Sequence, residues 1–218
     1  MKKELIKVAM ADDHILLRNA LASLINHSGD CSVVYECSNG NELISKIKTG
    51  TKPDVVILDL NMPEMDGHQT ALYLQKNYPE VKILMLTMYD SELALIRLLK
   101  AGVKGFMKKD IHPTELMHAI QAVHEHGYYY SAQTSSKLAG LFRDEASSNS
   151  IDKIMLSDTE LEFLKHVCSE LTYKEIAVQL KMNPRAIDGM RDNMFTRLDV
   201  KSRVGLAMYA IKNGIVPV

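Results

Sequence analysis

The chain has 218 residues, of which 46% are hydrophobic and 24% charged, a globular balance with length for one large domain or two small ones. Lysine and arginine total 26 against 27 aspartate and glutamate, so affinity for nucleic acid must come from local charge and not from a globally basic chain. The longest apolar runs, such as Val55-Val56-Ile57-Leu58, are far too short to cross a bilayer, and no cationic-then-apolar leader opens the sequence, so a cytoplasmic protein with no membrane partner is expected.

From residue 5 to about 126, short β-branched apolar runs alternate with longer stretches of helical period, the βαβ pattern of a parallel sheet covered on both faces. Five strands are predicted: Leu5 to Ala11, Cys31 to Glu36, Asp54 to Leu58, Val81 to Leu86 and Val103 to Met107. In the first helix Leu17, Ala20, Leu21, Leu24 and Ile25 recur at three- and four-residue steps and are assigned to the core, leaving Arg18, Asn19 and Ser23 to solvent. Residues 127–155 carry Gly127, the triplet Tyr128-Tyr129-Tyr130 and the polar run Ser147-Ser148-Asn149-Ser150, and read as a linker with a helix around 133–142. Beyond it, helix starts crowd together. Ser157 with Glu160 and Thr172 with Glu175 form capping boxes, Asn183 precedes Pro184, and Ser202 caps a fourth helix running to Lys212 and stopping at Gly214. The fold class is therefore α/β, a doubly wound five-stranded parallel sheet, followed by a small all-α domain. The three cysteines, Cys31, Cys37 and Cys168, lack zinc spacing and are read as free thiols.

The polar residues that interrupt the apolar strands stand at their C-terminal ends: Asp12 and Asp13, Asp59, Thr87 and Lys109. In strand order 2-1-3-4-5 those ends are contiguous, and ligands bind at the carboxyl edge of such a sheet. Three carboxylates that close repel one another unless a hard cation sits among them, and an oxygen-only cluster suits Mg²⁺. One carboxylate is then free to attack a phosphoryl donor. A lone strand-end aspartate would more simply cap the next helix, but five positions in order favour a site.

Ala11-Asp12-Asp13-His14, the stretch Asp59-Leu60-Asn61-Met62-Pro63-Glu64-Met65-Asp66-Gly67, Leu86-Thr87 and Gly105-Phe106-Met107-Lys108-Lys109 resemble the receiver domain of two-component response regulators over roughly residues 4–126. The resemblance implies a flavodoxin-like receiver with Asp59 as phosphoacceptor. It implies that Mg²⁺ is held by Asp13, Asp59 and the Asn61 carbonyl, with Asp12 acting through water. It assigns the family lysine to Lys109 rather than Lys108, and makes Phe106 the aromatic that swings inward when Thr87 turns to the phosphoryl group. Asp110 stands where the family often has proline, so a cis peptide there is not expected. Met88 replaces a commonly small residue and narrows access, while His14 reads as a partly exposed helix-start histidine.

The C-terminal segments Leu156-Ser157-Asp158-Thr159-Glu160, Lys174-Glu175-Ile176-Ala177, Arg197 to Arg203 and Tyr209-Ala210-Ile211 resemble the helix-turn-helix of NarL/FixJ regulators, the LuxR type. From Lys181 onward seven lysines and arginines face three aspartates, a local positive excess. On the helix from Pro184 to Leu198, the residues Ile187, Met190, Met194 and Leu198 point inward, and Arg185, Asp188, Gly189, Asp192 and Asn193 point outward. The DNA-binding set expected by resemblance is Thr172, Lys174, Arg185, Asp188, Gly189, Arg191, Asp192, Lys201 and Arg203. Asp188 and Asp192 stand where relatives often place basic readers, although an aspartate can accept from cytosine N4.

The organisation expected is a receiver at 1–126, a linker at 127–155 and a helix-turn-helix domain at 156–218. The function expected is a transcription regulator phosphorylated at Asp59 by a sensor histidine kinase and binding double-stranded DNA as a homodimer. It takes part in its own Mg²⁺-dependent phosphotransfer and autodephosphorylation, and is not otherwise an enzyme. One alternative is a phosphorylation-dependent protein-interaction output without DNA binding. Another is an aspartyl-phosphate phosphatase, which would usually carry a second aspartate where this chain has Asn61. The stripe Val204, Ala207, Met208 and Ile211 either meets a second subunit or closes the domain core.

Overall fold

Ile6–Ala11 (β1), Cys31–Cys37 (β2), Val55–Asp59 (β3), Lys82–Thr87 (β4) and Gly105–Lys108 (β5) lie side by side in a parallel sheet in the computed structural model, which describes residues 4–88, 91–143 and 156–216. The strand order is β2-β1-β3-β4-β5, continued by a sixth strand, Tyr129–Tyr130 (β6), where five were expected. The extra strand is possible because Gly105 has no side chain: a Cβ there would lie 2.6 Å from the Tyr129 carbonyl oxygen. Tyr129 pairs with Gly105 and Tyr130 with Phe106. Two residues carry no alternation of their own, so the strand is set by its neighbour.

Between the strands run Ile15–His27 (α1), Gly40–Thr49 (α2), Gly67–Asn77 (α3), Glu92–Lys100 (α4) and Pro113–His126 (α5). Val8 and Met10 of β1, Val55 and Ile57 of β3, and Leu84 and Leu86 of β4 pack with Ala22 and Ile25 of α1 and with Leu116, Ala119, Ile120 and Val123 of α5. The alternate residues Ala9, Val56, Leu58, Ile83 and Met85 are buried on the opposite face, where α2 packs. Near-continuous apolar strands follow from this double coverage, and each fully buried Val, Leu or Ile contributes about 1.5–3 kcal/mol. One periodicity reading needs correction: Ala22 is buried and Ala20 exposed, while Arg18 is half-buried. The Arg18 guanidinium donates to the carbonyls of Asp12 and Cys37 and to Ser38 Oγ, so reach toward unpaired carbonyls outweighs the polarity that assigned it to solvent.

The segment read as a linker contains β6 and a helix, Ala132–Arg143 (α6), matching the helix expected around 133–142. Its polar run Ser147 to Ser150 lies outside the described residues.

Asp158–Val167 (α7), Tyr173–Gln179 (α8), Pro184–Arg197 (α9) and Arg203–Lys212 (α10) follow. All four expected starts are in place. Ser157 with Glu160 and Thr172 with Glu175 form complete capping boxes, Asn183 accepts from the Arg185 N–H, and Ser202 accepts from the Gly205 N–H. Phe163, Leu164, Val167, Ile176, Ala177, Ile187, Met194, Leu206 and Ala210 are the centre of this core. Met190 and Leu198 pack against it, as the periodicity of α9 required. The chain divides into two compact units, Met1–Asp90 with Leu95–Ser135 and Ser91–Ala94 with Ser136–Val218.

Candidate functional site

The register of the sheet assembles the acidic site. Ala11 lies beside Leu58, so Asp12, the next residue after β1, emerges next to Asp59 at the end of β3. The Asp12 N–H donates to the Cys37 carbonyl at 3.1 Å and the Lys109 N–H to the Thr87 carbonyl at 3.1 Å, which extends the ladder past the last strand residues. Lys109 then places Nζ 2.9 Å from Asp12 Oδ2 and 2.8 Å from Asp59 Oδ2. The loop leaving β3 folds back so closely that a Cβ on Gly67 would sit 2.1 Å from the Asp59 carbonyl oxygen. Gly67 N–H bonds the Leu60 carbonyl at 2.9 Å, and the Asp66–Gln69 capping box starts α3 there. Glycine at 67 thus fixes the backbone that carries Asp59.

Asp12 and Asp59 are buried, Lys109 has only 9% of its side chain exposed, and Asp13 is exposed. Burial pushes the Asp59 carboxyl up from its ordinary value, and the Lys109 contact opposes that. For Lys109 burial works downward, but the bonds to Asp59 and Asp12 win and its ammonium is held above the ordinary range. His14 Nδ1 stands 3.0 Å from Asp12 Oδ1, 2.8 Å from Asp13 Oδ1 and 3.9 Å from Asp59 Oδ2. One ligand atom from each of Asp12, Asp13, His14 and Asp59 falls within 4.8 Å of the others. Three carboxylates converging on one crevice are a donor set that fits a hard divalent cation.

The remaining expected residues stand on or just after β3, β4 and β5. Asn61 is half-buried in the loop after β3. Thr87 is buried at the end of β4, and Phe106 is buried with its ring edge-on to Tyr130 at 5.6 Å. Met88 is 68% exposed, so most of it faces solvent and it narrows the crevice less than its size implies. The described residues contain no cis peptide.

In the helical unit Arg185, Asp188, Gly189, Asp192 and Asn193 form the exposed face of α9, with Thr172, Lys174 and Lys201 exposed nearby in sequence or space. An open groove is lined by Thr172, Tyr173, Lys174, Pro184 and Asp188. Arg191 is matched on this face: Nη1 lies 2.9 Å from Asp188 Oδ1, Nη2 2.8 Å from Asp192 Oδ1, and the guanidinium sits 5.2 Å from the Tyr173 ring centre. Arg203 is committed elsewhere. Its Nε donates to the Val167 carbonyl and its Nη2 to the Ser169 carbonyl, at the C-terminal end of α7, with the guanidinium 5.5 Å from the same ring. The Thr172 hydroxyl is likewise engaged, 2.7 Å from Glu175 Oε2.

The family pattern described as "Response regulator receiver domain" matches residues 8–121, and that described as "Bacterial regulatory proteins, luxR family" matches residues 155–210. The chain is 32% identical over 217 residues to the oxygen regulatory protein NreC of Staphylococcus haemolyticus, covering 97% of this chain and 99% of that one. The chain belongs to the two-component response regulators with a LuxR-type output domain. NreC of Staphylococcus epidermidis is 32% identical with the same coverage. The response regulator ChrA of a heme-sensing two-component system is similar in structure, with TM-score 0.52 and 25% identity over 97% of this chain and 99% of that one. RcsB of Salmonella enterica serovar Typhimurium, solved bound to the promoter rprA, shares the fold with TM-score 0.68 and 24% identity over 94% of this chain and 98% of that one. The regulator is thus a receiver joined to a DNA-binding domain of a family that regulates transcription, not a family of conventional enzymes.

Sequence reading missed two contacts of the helical unit, while His14 stands where the sequence places it, exposed at the start of α1. Tyr173, whose ring faces both Arg191 and Arg203, carried no signal beyond a half-polar helix start. The pair Glu160–Arg197, 2.6 Å apart and mostly covered, links α7 to α9 across a sequence distance that no local pattern spans.

Proposed function

We propose that Asp59 accepts a phosphoryl group from a sensor histidine kinase, and that this controls dimerisation and binding of α9 to duplex DNA. The observation that carries the reading is the buried Asp59 carboxylate at the end of the central strand β3, 2.8 Å from Lys109 Nζ and beside Asp12. An Asp59 oxygen attacks the phosphorus of a phosphohistidine, the N–P bond breaks, and the imidazole leaves with a proton. Water attacks the phosphorus of the resulting acyl phosphate, the P–O bond to Asp59 breaks, and inorganic phosphate leaves as the carboxylate returns, which is the autodephosphorylation. Asp13, Asp59 and the Asn61 carbonyl would hold Mg²⁺, with Asp12 acting through water, and the ion would supply positive charge against the phosphoryl oxygens. Lys109 orients the same oxygens from the fifth strand. Thr87 turns its hydroxyl toward them, and Phe106 follows.

The domain organisation that serves this reading is a receiver at 1–126, a connecting segment at 127–155 and a helix-turn-helix domain at 156–218, acting in the cytoplasm. No helix among the described residues is long and apolar enough to cross a membrane. On α10 the inner positions are Leu206 and Ala210, and Ala207 packs against the core, while Val204 is 70% and Met208 59% exposed, so the exposed half of the stripe favours a subunit contact. Two such subunits present two α9 helices to successive major grooves, about one helical turn apart. The test is Mg²⁺-dependent labelling by a small phosphodonor combined with mass and DNA affinity, each before and after labelling. Labelling of Asp59→Asn at the wild-type level sinks the site, and tighter DNA binding by a protein that stays monomeric on DNA sinks the coupling.

One observation favours the second reading, an output that binds a protein rather than DNA: Arg191 is already neutralised by Asp188 and Asp192. Retention on random duplex DNA with steep salt dependence excludes it.

A further inference from the structure

We propose that α9 selects cytosine: Asp188 and Asp192 accept from the N4 amino groups of two C·G pairs about two base pairs apart in the major groove, and Arg191 positions both carboxylates. The inference rests on the DNA binding of the proposed function and names the base that the same helix reads.

Asp188 and Asp192 stand one helical turn apart on α9, with 54% and 64% of their side chains exposed. Arg191 donates from Nη1 to Asp188 Oδ1 at 2.9 Å and from Nε to Asp192 Oδ1 at 2.8 Å, with its guanidinium laid against Tyr173. Those bonds engage the donors that a guanine contact would need, and they hold two aspartates in one arrangement before DNA arrives. Both bonds end on Oδ1, and a carboxylate with two oxygens keeps acceptor capacity for an outside donor. Adenine sets its N7 acceptor beside the N6 donor, which repels a carboxylate, whereas cytosine offers N4 as a donor alone. One arginine between two aspartates also leaves one negative charge on this face, rather than two, to repel phosphates.

Gly189, exposed between the two aspartates, is the independent observation that points to a ligand. Glycine weakens a helix interior, and packing does not require it here: among the described residues a Cβ at 189 would meet no neighbouring atom within 4 Å. The bare backbone leaves room for a base edge. Aspartate is a short reader, with one methylene between Cα and carboxylate, so it reaches a base only where the helix sits deep in the groove. Two short acceptors and a missing side chain between them fit the same close approach. Four residues of helix rise about 6 Å, the height of about two stacked base pairs, which sets the spacing of the two cytosines.

The test uses the full chain and duplexes selected from a random pool. Selected half-sites are expected to carry two C·G pairs at that spacing. Replacing either cytosine by 2-pyrimidinone, which pairs with guanine but lacks the N4 amino group, lowers affinity about fivefold or more. Asp188→Ala removes the penalty at one position and Asp192→Ala at the other. Arg191→Ala blunts both penalties without changing the salt slope, as a positioning residue does. Gly189→Ala raises the thermal midpoint, because alanine favours the helix, yet weakens the selected duplex about tenfold while random duplex stays within about twofold. Selected duplexes without the two cytosines, or penalties that survive Asp188→Ala and Asp192→Ala, overturn the cytosine reading and leave DNA binding standing. A salt slope flattened by about one unit in Arg191→Ala, or wild-type affinity for the selected duplex in Gly189→Ala, overturns it as well. If wild type binds no duplex, the proposed function falls with it.

Discussion

The acidic crevice and the exposed face of α9 both concentrate charge, but they are finished differently. In the crevice three carboxylates converge and the Lys109 ammonium meets two of them, so the negative excess is left for an incoming cation. On α9 the Arg191 guanidinium is closed between Asp188 and Asp192 and laid against Tyr173, so that charge is spent within the protein. A site whose charge is unbalanced recruits a ligand; one whose charge is balanced must be opened or must work through its neighbours. Arg185, Lys174, Lys181 and Lys201 are exposed cations of the same helical unit.

The comparison breaks most sharply at Asp59. Asp59→Asn should lower phosphodonor labelling by at least about a hundredfold, because the amide is not a competent nucleophile; retained label would move the nucleophile elsewhere. The same change should raise the thermal midpoint at neutral pH without divalent ions, since burial raises the Asp59 carboxyl and its charge therefore costs stability. A raised carboxyl favours folding below its unfolded value and loses that advantage as pH rises through the folded value. The stability gain of Asp59→Asn should accordingly shrink as pH falls into the carboxylate range; a constant gain would show that charge burial is not its cause.

Gly67→Ala tests the frame that holds the crevice. The Cβ would meet the Asp59 carbonyl, so a loss of about 2–4 kcal/mol in denaturant unfolding is expected, together with slower labelling. Arg203→Ala should cost the helical unit about 1–3 kcal/mol through two carbonyls left without their donor, with little change in the salt slope of DNA binding. Lys201→Ala should do the reverse, flattening that slope by about one unit at unchanged stability. The smallest effect is expected from Asp188→Ala, which leaves Arg191 paired with Asp192 alone: a severalfold rise in affinity for random duplex and a changed base preference. No change on either measure would mean Arg191 plays no part in the interface.

What could be read in advance follows physical rules of short range. All four C-terminal helix starts were legible because a cap and its partner stand three residues apart or less, and the strand ends were legible because a polar residue terminates an apolar run. The crevice positions Asp12, Asp13, Asp59, Thr87 and Lys109 were legible as a set for the same reason. β6 was not, because its pairing depends on the missing Cβ of Gly105 in a strand more than twenty residues earlier. The covered position of Arg18 is not legible because helical periodicity treats a guanidinium as solvent-facing, whereas it donates to the carbonyls of Asp12 and Cys37.

The rings at the sheet edge have an optical consequence. The chain contains no tryptophan, so its near-ultraviolet signal belongs chiefly to nine tyrosines. Tyr130 stacks on Tyr128 at 6.1 Å with 21° between planes and meets Phe106 edge-on, which gives this small cluster a fixed handedness. A reorientation of Phe106 changes the asymmetry around Tyr130 directly. Circular dichroism between the phenylalanine and tyrosine bands would therefore report such a reorientation in the native chain, without a label and on the timescale of a stopped-flow mix.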